Sequence, residues 1–518
     1  MVKNEIRLKY SGLVVFASKL LSVATGLAFT LMIARNTTTE EYGIFGNMSD
    51  ILGYFTLLAG VLPFWTTRFV ARDHAGSAKT GLISNMLISV ISASIYLTLL
   101  PAILPALQIY GYTIVYAFIS IEILELYTLS VLQAILQARK PQAMGYGILM
   151  YETCKVILGS FLIIGLQLNL PLFPIKRYLF VIPSFPLIIR GLQLGLLGVL
   201  CSMIIAYFIQ IAFFFKLTAE ELKGSFRLAY LKEWLKASPI NFYSVVGFII
   251  PGFSLIFLFM YAEAARAYYL AAFTIASIIG YSVYLTSGLY PKLLSKINIK
   301  DVSTSLKMVL MLAIPMTVGA MVLSDSYITI LKSEYADAKI VLSILAISVL
   351  SMSLSGVFET VVMGTEKIDA EAKIAFKKLL KTRLFQIYTL PYIYSAIVLP
   401  TTFFALFYIA KTPLEAATYV AVITLIGNLA MLLCKYVISH RCLAFKFPWK
   451  ALAKYATASA AMAIPLFIIP HPTKLLSTLL STGAGGITYL ATLAAIDMET
   501  RQLIKSIIKE TKSKLGVK

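Results

Sequence analysis

Glu122 and Glu125 stand three residues apart inside an apolar stretch running from 110 to 136, and Gln133 and Gln137 continue the same stripe. At a helical spacing of about 100° per residue the two carboxylates share one face. Like charges one turn apart oppose joint ionisation, so the pair can bind a proton or share a sodium ion, and a stripe of four polar residues does not face lipid. Glu152 and Lys155 are also three apart; they can pair within one helix, which reduces their burial cost, or join the ion-coupling set. Lys19 falls in the first apolar stretch with Gly12, Ser22, Gly26 and Thr30 within roughly 60° of it. Asp50 falls in the second, with Gly43, Gly46, Asn47 and Tyr54 on its face. An ammonium on a small, polar face can act as a point charge for phosphate, so Lys19, Asp50, Asn47 and Arg266 are the candidate substrate contacts.

Each ionisable side chain near mid-span costs about 2.5 to 3.5 kcal/mol to insert, so Lys19, Asp50, Glu122, Glu125, Glu152 and Lys155 persist where they meet protein or water. All six lie in the first half of the chain. Glu359 and Lys454 fall near span ends and are expected to snorkel. His74, His440 and His471 are far apart in loops, and Cys154, Cys201, Cys434 and Cys442 lack metal-site spacing. Metal centres, disulfides and general acid–base catalysis are not expected, nor is any cofactor beyond a coupling proton or sodium ion.

The elements that must position these residues are membrane spans. Of 518 residues, 59% are hydrophobic and 13% charged, with a mean hydropathy of +0.85. Soluble domains carry about 25% charge, so a water-soluble enzyme is excluded. At about 20 apolar residues per span, the apolar runs give fourteen candidate helices. They cover 10–34, 43–66, 80–107, 110–136, 143–168, 191–216, 239–261, 268–290, 307–323, 339–362, 387–410, 413–437, 451–470 and 474–496. The proline-interrupted segment 169–190 reads as an outer loop resting in the interface, and 217–236 as either an interfacial helix or a passive linker.

With the N-terminus placed inside, 33 of the 45 lysines and arginines fall on the cytoplasmic side. That asymmetry sets the orientation, with both termini cytoplasmic, and it explains the net charge of +21 by anionic lipid rather than nucleic acid. The loop 363–386, with Lys367, Lys373, Lys377, Lys378, Lys381 and Arg383, is its densest part.

The segment from Asp50 through Gly53 to Pro63 echoes Ser277 through Gly280 to Pro291, an offset of about 228 residues or six spans. Six is even, so the two halves share one orientation. The reading is an all-α polytopic protein of two six-helix lobes and two further helices: 1–216, a linker at 217–238, 239–437, trailing spans at 438–496 and a basic tail at 497–518.

The run Leu31-Met-Ile-Ala-Arg35 followed by Thr39-Glu-Glu-Tyr-Gly43-Ile-Phe45 resembles the stretch A-R-x-L-x-x-E-E-Y-G-x-F of polysaccharide-biosynthesis membrane proteins. These are lipid-linked oligosaccharide flippases of the multidrug, oligosaccharidyl-lipid and polysaccharide exporter superfamily. The resemblance implies two lobes around a central cavity that opens alternately inward and outward, and a basic cavity residue on the first span, a place Lys19 fills. Two lysines against four carboxylates in the spans of the first half depart from a simple cationic cavity. The leading expectation is a monomeric cell-membrane flippase that carries a polyprenyl-(di)phosphate glycolipid to the outer leaflet. A cation-coupled multidrug exporter of the same superfamily is the alternative. An integral glycosyltransferase is a third, disfavoured by the lack of an acidic outer loop.

Overall fold

Where no water reaches the backbone, only a helix satisfies its own N–H and C=O groups, and the apolar stretches fold accordingly. The computed structural model describes residues 8–37, 39–106, 109, 111–164, 168–170, 187–189, 192–331, 333–366, 380–469, 471–498 and 501. Among them thirteen helices are long and apolar enough to cross a membrane. The protein is an all-α multi-pass membrane protein. It forms two compact units, one built on Ala17–Phe242 and the other on Arg7–Phe16, Tyr243–Ile368 and Ala375–Lys518.

The first unit contains α1 (Leu8–Asn36, from Ala17 onward), α2 (Thr39–Phe55), α3 (Val61–Ala71), α4 (Ser77–Ala106), α5 (Thr113–Arg139), α6 (Gln142–Gly159), α7 (Gly195–Thr218) and the start of α8 (Leu228–Ile249). Helix α5 is the central one and packs against α2, α3, α4, α6 and α7. Its buried apolar face meets Phe29, Ile33, Tyr96, Val199 and Leu200. The second predicted span is not one helix: α2 stops at Phe55, a 3₁₀ turn covers Leu57–Gly60, and α3 resumes at Val61. The predicted interfacial loop at 169–190 is closed by a two-stranded antiparallel ladder, β1 (Leu168–Leu170) with β2 (Leu187–Ile189). The segment after 217 is neither a separate interfacial helix nor a linker alone, because α8 begins at Leu228 and runs straight into the next span. Trp234 explains this. Its indole is fully buried and meets Phe69 edge-on at 5.3 Å, seating the start of α8 against the first unit.

The second unit contains the rest of α8, then α9 (Phe253–Tyr261), α10 (Glu263–Gly280), α11 (Leu289–Ser295), α12 (Ile299–Val322), α13 (Ser324–Leu331), α14 (Lys339–Thr365), α15 (Arg383–Phe404) and α16 (Pro413–Cys442). The trailing α17 (Trp449–Ile468) and α18 (Leu475–Ile496) pack on α12, where the Tyr489 hydroxyl donates to the Met311 carbonyl. The matching span of this half is broken at the corresponding place. Helix α10 ends at Gly280, a 3₁₀ segment covers Tyr281–Thr286, and α11 resumes at Leu289. The residues before the resumed helices, Gly60 (φ −90°, ψ −9°) and Gly288 (φ −87°, ψ −9°), have nearly the same backbone. Asp73 and Asp301, the same distance beyond, each hold a basic partner: Arg139 at 2.6 Å and Lys292 at 2.8 Å.

Both residues expected near span ends are paired: Glu359 with Lys435 at 2.7 Å, and Lys454 with Asp497 at 2.9 Å. The first pair joins α14 to α16, and the second joins α17 to the residue that follows α18.

Candidate functional site

The charged residues of the first unit converge on α5, α6 and α1. Glu122 is 2% exposed and Glu125 is 7% exposed, both on α5. One oxygen of each, Oε1 of Glu122 and Oε2 of Glu125, is buried without a hydrogen-bond partner among the described residues. A lone buried carboxylate charge is expensive, and a proton or a shared cation is the remedy that chemistry offers. Gln133 and Gln137 are half-buried further along α5, so the polar stripe exists as a surface of that helix.

On α6, Lys155 Nζ meets Glu152 Oε2 at 2.9 Å, as helical spacing predicts. The pair is not self-contained. Thr25 of α1 donates to the same Glu152 oxygen at 2.7 Å, and Lys155 sits over the rings of Phe29 at 5.2 Å and Tyr151 at 4.9 Å. Two helices are thus joined through one ion pair with a hydroxyl and two aromatic faces around it. Glu152 also acts electrostatically on Lys19, which is half-buried on α1. Glu152 thus has Lys155 as its direct partner and acts on Lys19 at longer range.

Between the two carboxylate sets lies a pair that sequence reasoning missed. Tyr151 of α6 and Tyr207 of α7 stack at 4.3 Å with 23° between their planes. Tyr207 lies in the electrostatic field of Glu122, Glu125 and Glu152, and Tyr151 in that of Glu122 and Glu152. The tyrosines bring both sets into one hydroxyl-bearing cluster. Tyrosines are common in spans, so only the fold marks these two. Gln210, 2% exposed, is a second residue missed, and it lies against Gly147.

The other predicted contacts are not all assembled here. Asn47 and Asp50 are on α2, but their side chains lie outside the described residues. Arg266 is near the start of α10, in the second unit. The small face of α1 divides in two. Gly12 packs so closely on the Leu285 backbone that a Cβ would overlap its carbonyl, whereas a Cβ at Gly26 would meet nothing. The acidic motif of the α1–α2 junction also has a place: Glu41 approaches Gly195, where a Cβ would be 3.1 Å from its Oε1, at the N-terminal turn of α7. A carboxylate there is stabilised by the helix dipole.

No protein-family model matches the sequence, and no curated protein does. Solved structures match the fold. A mutant of the Vibrio cholerae MATE transporter VcmN aligns with a TM-score of 0.61 at 14% identity, over 85% of this chain and 96% of that one. An outward-facing multidrug resistance MATE family transporter of the MOP superfamily aligns at 0.59 and 12%, over 85% and 97%. A MOP superfamily transporter from Pyrococcus furiosus, whose reverse-polarity binding pocket suggests a different function, aligns at 0.60 and 13%, over 84% and 95%. At these identities the likeness is one of fold, and the chain has the fold of the MATE transporters of the MOP superfamily.

Proposed function

We propose that this protein is an alternating-access transporter of the MOP superfamily that flips a polyprenyl-(di)phosphate-linked oligosaccharide from the cytoplasmic to the outer leaflet. The observation that carries the reading is the first unit's buried cluster, where Lys155 pairs with Glu152, Glu152 acts on Lys19, and Glu122 and Glu125 hold unpartnered oxygens on the adjoining helix. Lys19 contacts the lipid phosphate. Glu122 and Glu125 act as one titrating unit that takes a proton or sodium ion during the return step, because two carboxylates one turn apart in a dry site resist joint ionisation. The Glu-Glu-Tyr-Gly run at the α1–α2 junction and the two trailing helices support the flippase branch.

The second reading, a cation-coupled multidrug exporter, is favoured by the carboxylate-rich lobe and by the multidrug transporter among the fold's neighbours. The deciding experiment is depletion of the protein in its own cell, followed by assay of lipid-linked sugars on each leaflet. Accumulation on the inner leaflet supports the flippase. Unchanged glycolipid distribution with increased sensitivity to cationic drugs supports the exporter.

A further inference from the structure

A helix broken inside a membrane leaves backbone carbonyls that must find donors elsewhere. In the second span the break spans Thr56–Gly60, and the Phe55 and Ala59 carbonyls both find side-chain donors from neighbouring helices. The Phe55 carbonyl accepts from Ser92 Oγ of α4 at 2.8 Å and from the Tyr127 hydroxyl of α5 at 3.1 Å. The Ala59 carbonyl accepts from Ser130 Oγ of α5 at 2.9 Å and from Asn85 Nδ2 of α4 at 3.3 Å. Asn85 is fully buried, and its amide also donates to the Tyr127 carbonyl at 2.7 Å and to Ser130 Oγ at 3.1 Å. Just past the break, Thr67 of α3 donates to the Ala134 carbonyl of α5 at 3.3 Å. Helix α5 therefore grips the second span before, within and after its break.

The same helix carries Glu122 and Glu125, and Ser130 is five residues beyond Glu125, about 7.5 Å along the axis. A helix moves as a rod over such a distance, so a displacement of α5 at its carboxylates is delivered to the donors that fix the break. The break is in turn the point of the second span where a change of backbone angle meets least resistance, since the Phe55 and Ala59 carbonyls are held by side chains rather than by the regular helical ladder.

We propose that Tyr127, Ser130 and Asn85 are positioning residues of the transport cycle, which transmit the charge state of Glu122 and Glu125 to the joint in the second span. The inference rests on the reading of that pair as the coupling site. Neutralising the pair relaxes α5, loosens the Tyr127 and Ser130 hydrogen bonds, and frees the joint between α2 and α3. In the charged state the joint is held.

The test is amide hydrogen exchange of the segment 53–62 in detergent or nanodiscs, on the full chain, normalised to intrinsic exchange. It compares wild type, Glu122→Gln/Glu125→Gln, Tyr127→Phe/Ser130→Ala and the combination of all four. Neutralising the pair is expected to speed exchange at the joint about fivefold, the equilibrium weight of one net hydrogen bond. The change should vanish in the Tyr127→Phe/Ser130→Ala background, the signature of a coupled pair of sites. If that double variant does not fold, Tyr127→Phe alone serves, since it removes one hydroxyl and keeps the ring. Equal exchange in wild type and Glu122→Gln/Glu125→Gln overturns the inference, and so does a change that persists without the clamp. Gradient dependence of transport in vesicles, measured on Glu122→Gln/Glu125→Gln, tests the coupling reading separately: its loss with an unresponsive joint sinks the transmission and leaves the coupling site standing.

Discussion

At the scale of single residues, Lys19 and the Glu152–Lys155 pair make opposite demands. Lys19 is half-buried, and it is predicted to contact the lipid phosphate. A point charge suffices for that role, so Lys19→Arg should keep glycolipid export and Lys19→Ala should lose it, at equal expression. Export undiminished in Lys19→Ala would remove Lys19 from the site. Lys155 is enclosed, with its side chain 10% exposed and Glu152 at 11%. Removing one partner leaves the other charge buried, so Lys155→Met should destabilise the protein by about 3–5 kcal/mol, while Glu152→Leu/Lys155→Met should recover most of the loss. Thermal unfolding in detergent measures both. The sequence made these residues visible because charge in an apolar run is costly and helical spacing sorts it into faces. It could not show Thr25 bonded to Glu152, Phe29 beneath Lys155, or Tyr151 stacked on Tyr207, since neutral and aromatic residues in spans carry no such signal.

At the scale of elements, periodicity and length marked the helices, and the proline-linked echo between Pro63 and Pro291 marked the places where both second spans break. What it did not reveal is that these are breaks. An apolar run looks the same whether or not the hydrogen-bond ladder is continuous, and the signal resides in distant donors such as Asn85, Tyr127 and Ser130. The α8 segment was ambiguous for a related reason: Phe226, Tyr230 and Trp234 among lysines suit an interface equally, and only the Trp234 contact with Phe69 settles their place. Gly12 and Gly26 read alike as small residues on one face of α1, yet they differ in packing. Gly12→Ala forces a Cβ against the Leu285 carbonyl and should cost about 1–3 kcal/mol, like other overpacked sites. Gly26→Ala meets open space and should stabilise the helix by about 1 kcal/mol. Paired unfolding measurements with opposite signs are expected; equal shifts would show that the close approach at Gly12 is not needed.

At the scale of the whole molecule, direction of transport depends on which side the basic residues face. If 33 of the 45 lysines and arginines are cytoplasmic, Gly111→Cys and Thr412→Cys should react with an impermeant reagent from outside, and Lys296→Cys should not. That orientation has an energetic consequence for the proposed cargo. Moving one negative charge outward across an inside-negative potential is favourable by about 2.3 kcal/mol per 100 mV, so a diphosphate carrying two charges gains roughly 4.6 kcal/mol. In vesicles of sorted orientation, flipping of a polyprenyl diphosphate sugar should therefore accelerate when a potassium gradient makes the cytoplasmic face negative, and slow when the gradient is reversed. The Glu122 and Glu125 pair adds a second, separable dependence, because a proton or sodium ion carried on the return step responds to its own gradient. Glu122→Gln/Glu125→Gln should abolish the response to ion gradients while leaving the response to potential. Transport insensitive to potential in every variant would mean that the moving cargo bears no net charge, and would turn the reading from a phosphate-linked lipid toward a neutral substrate.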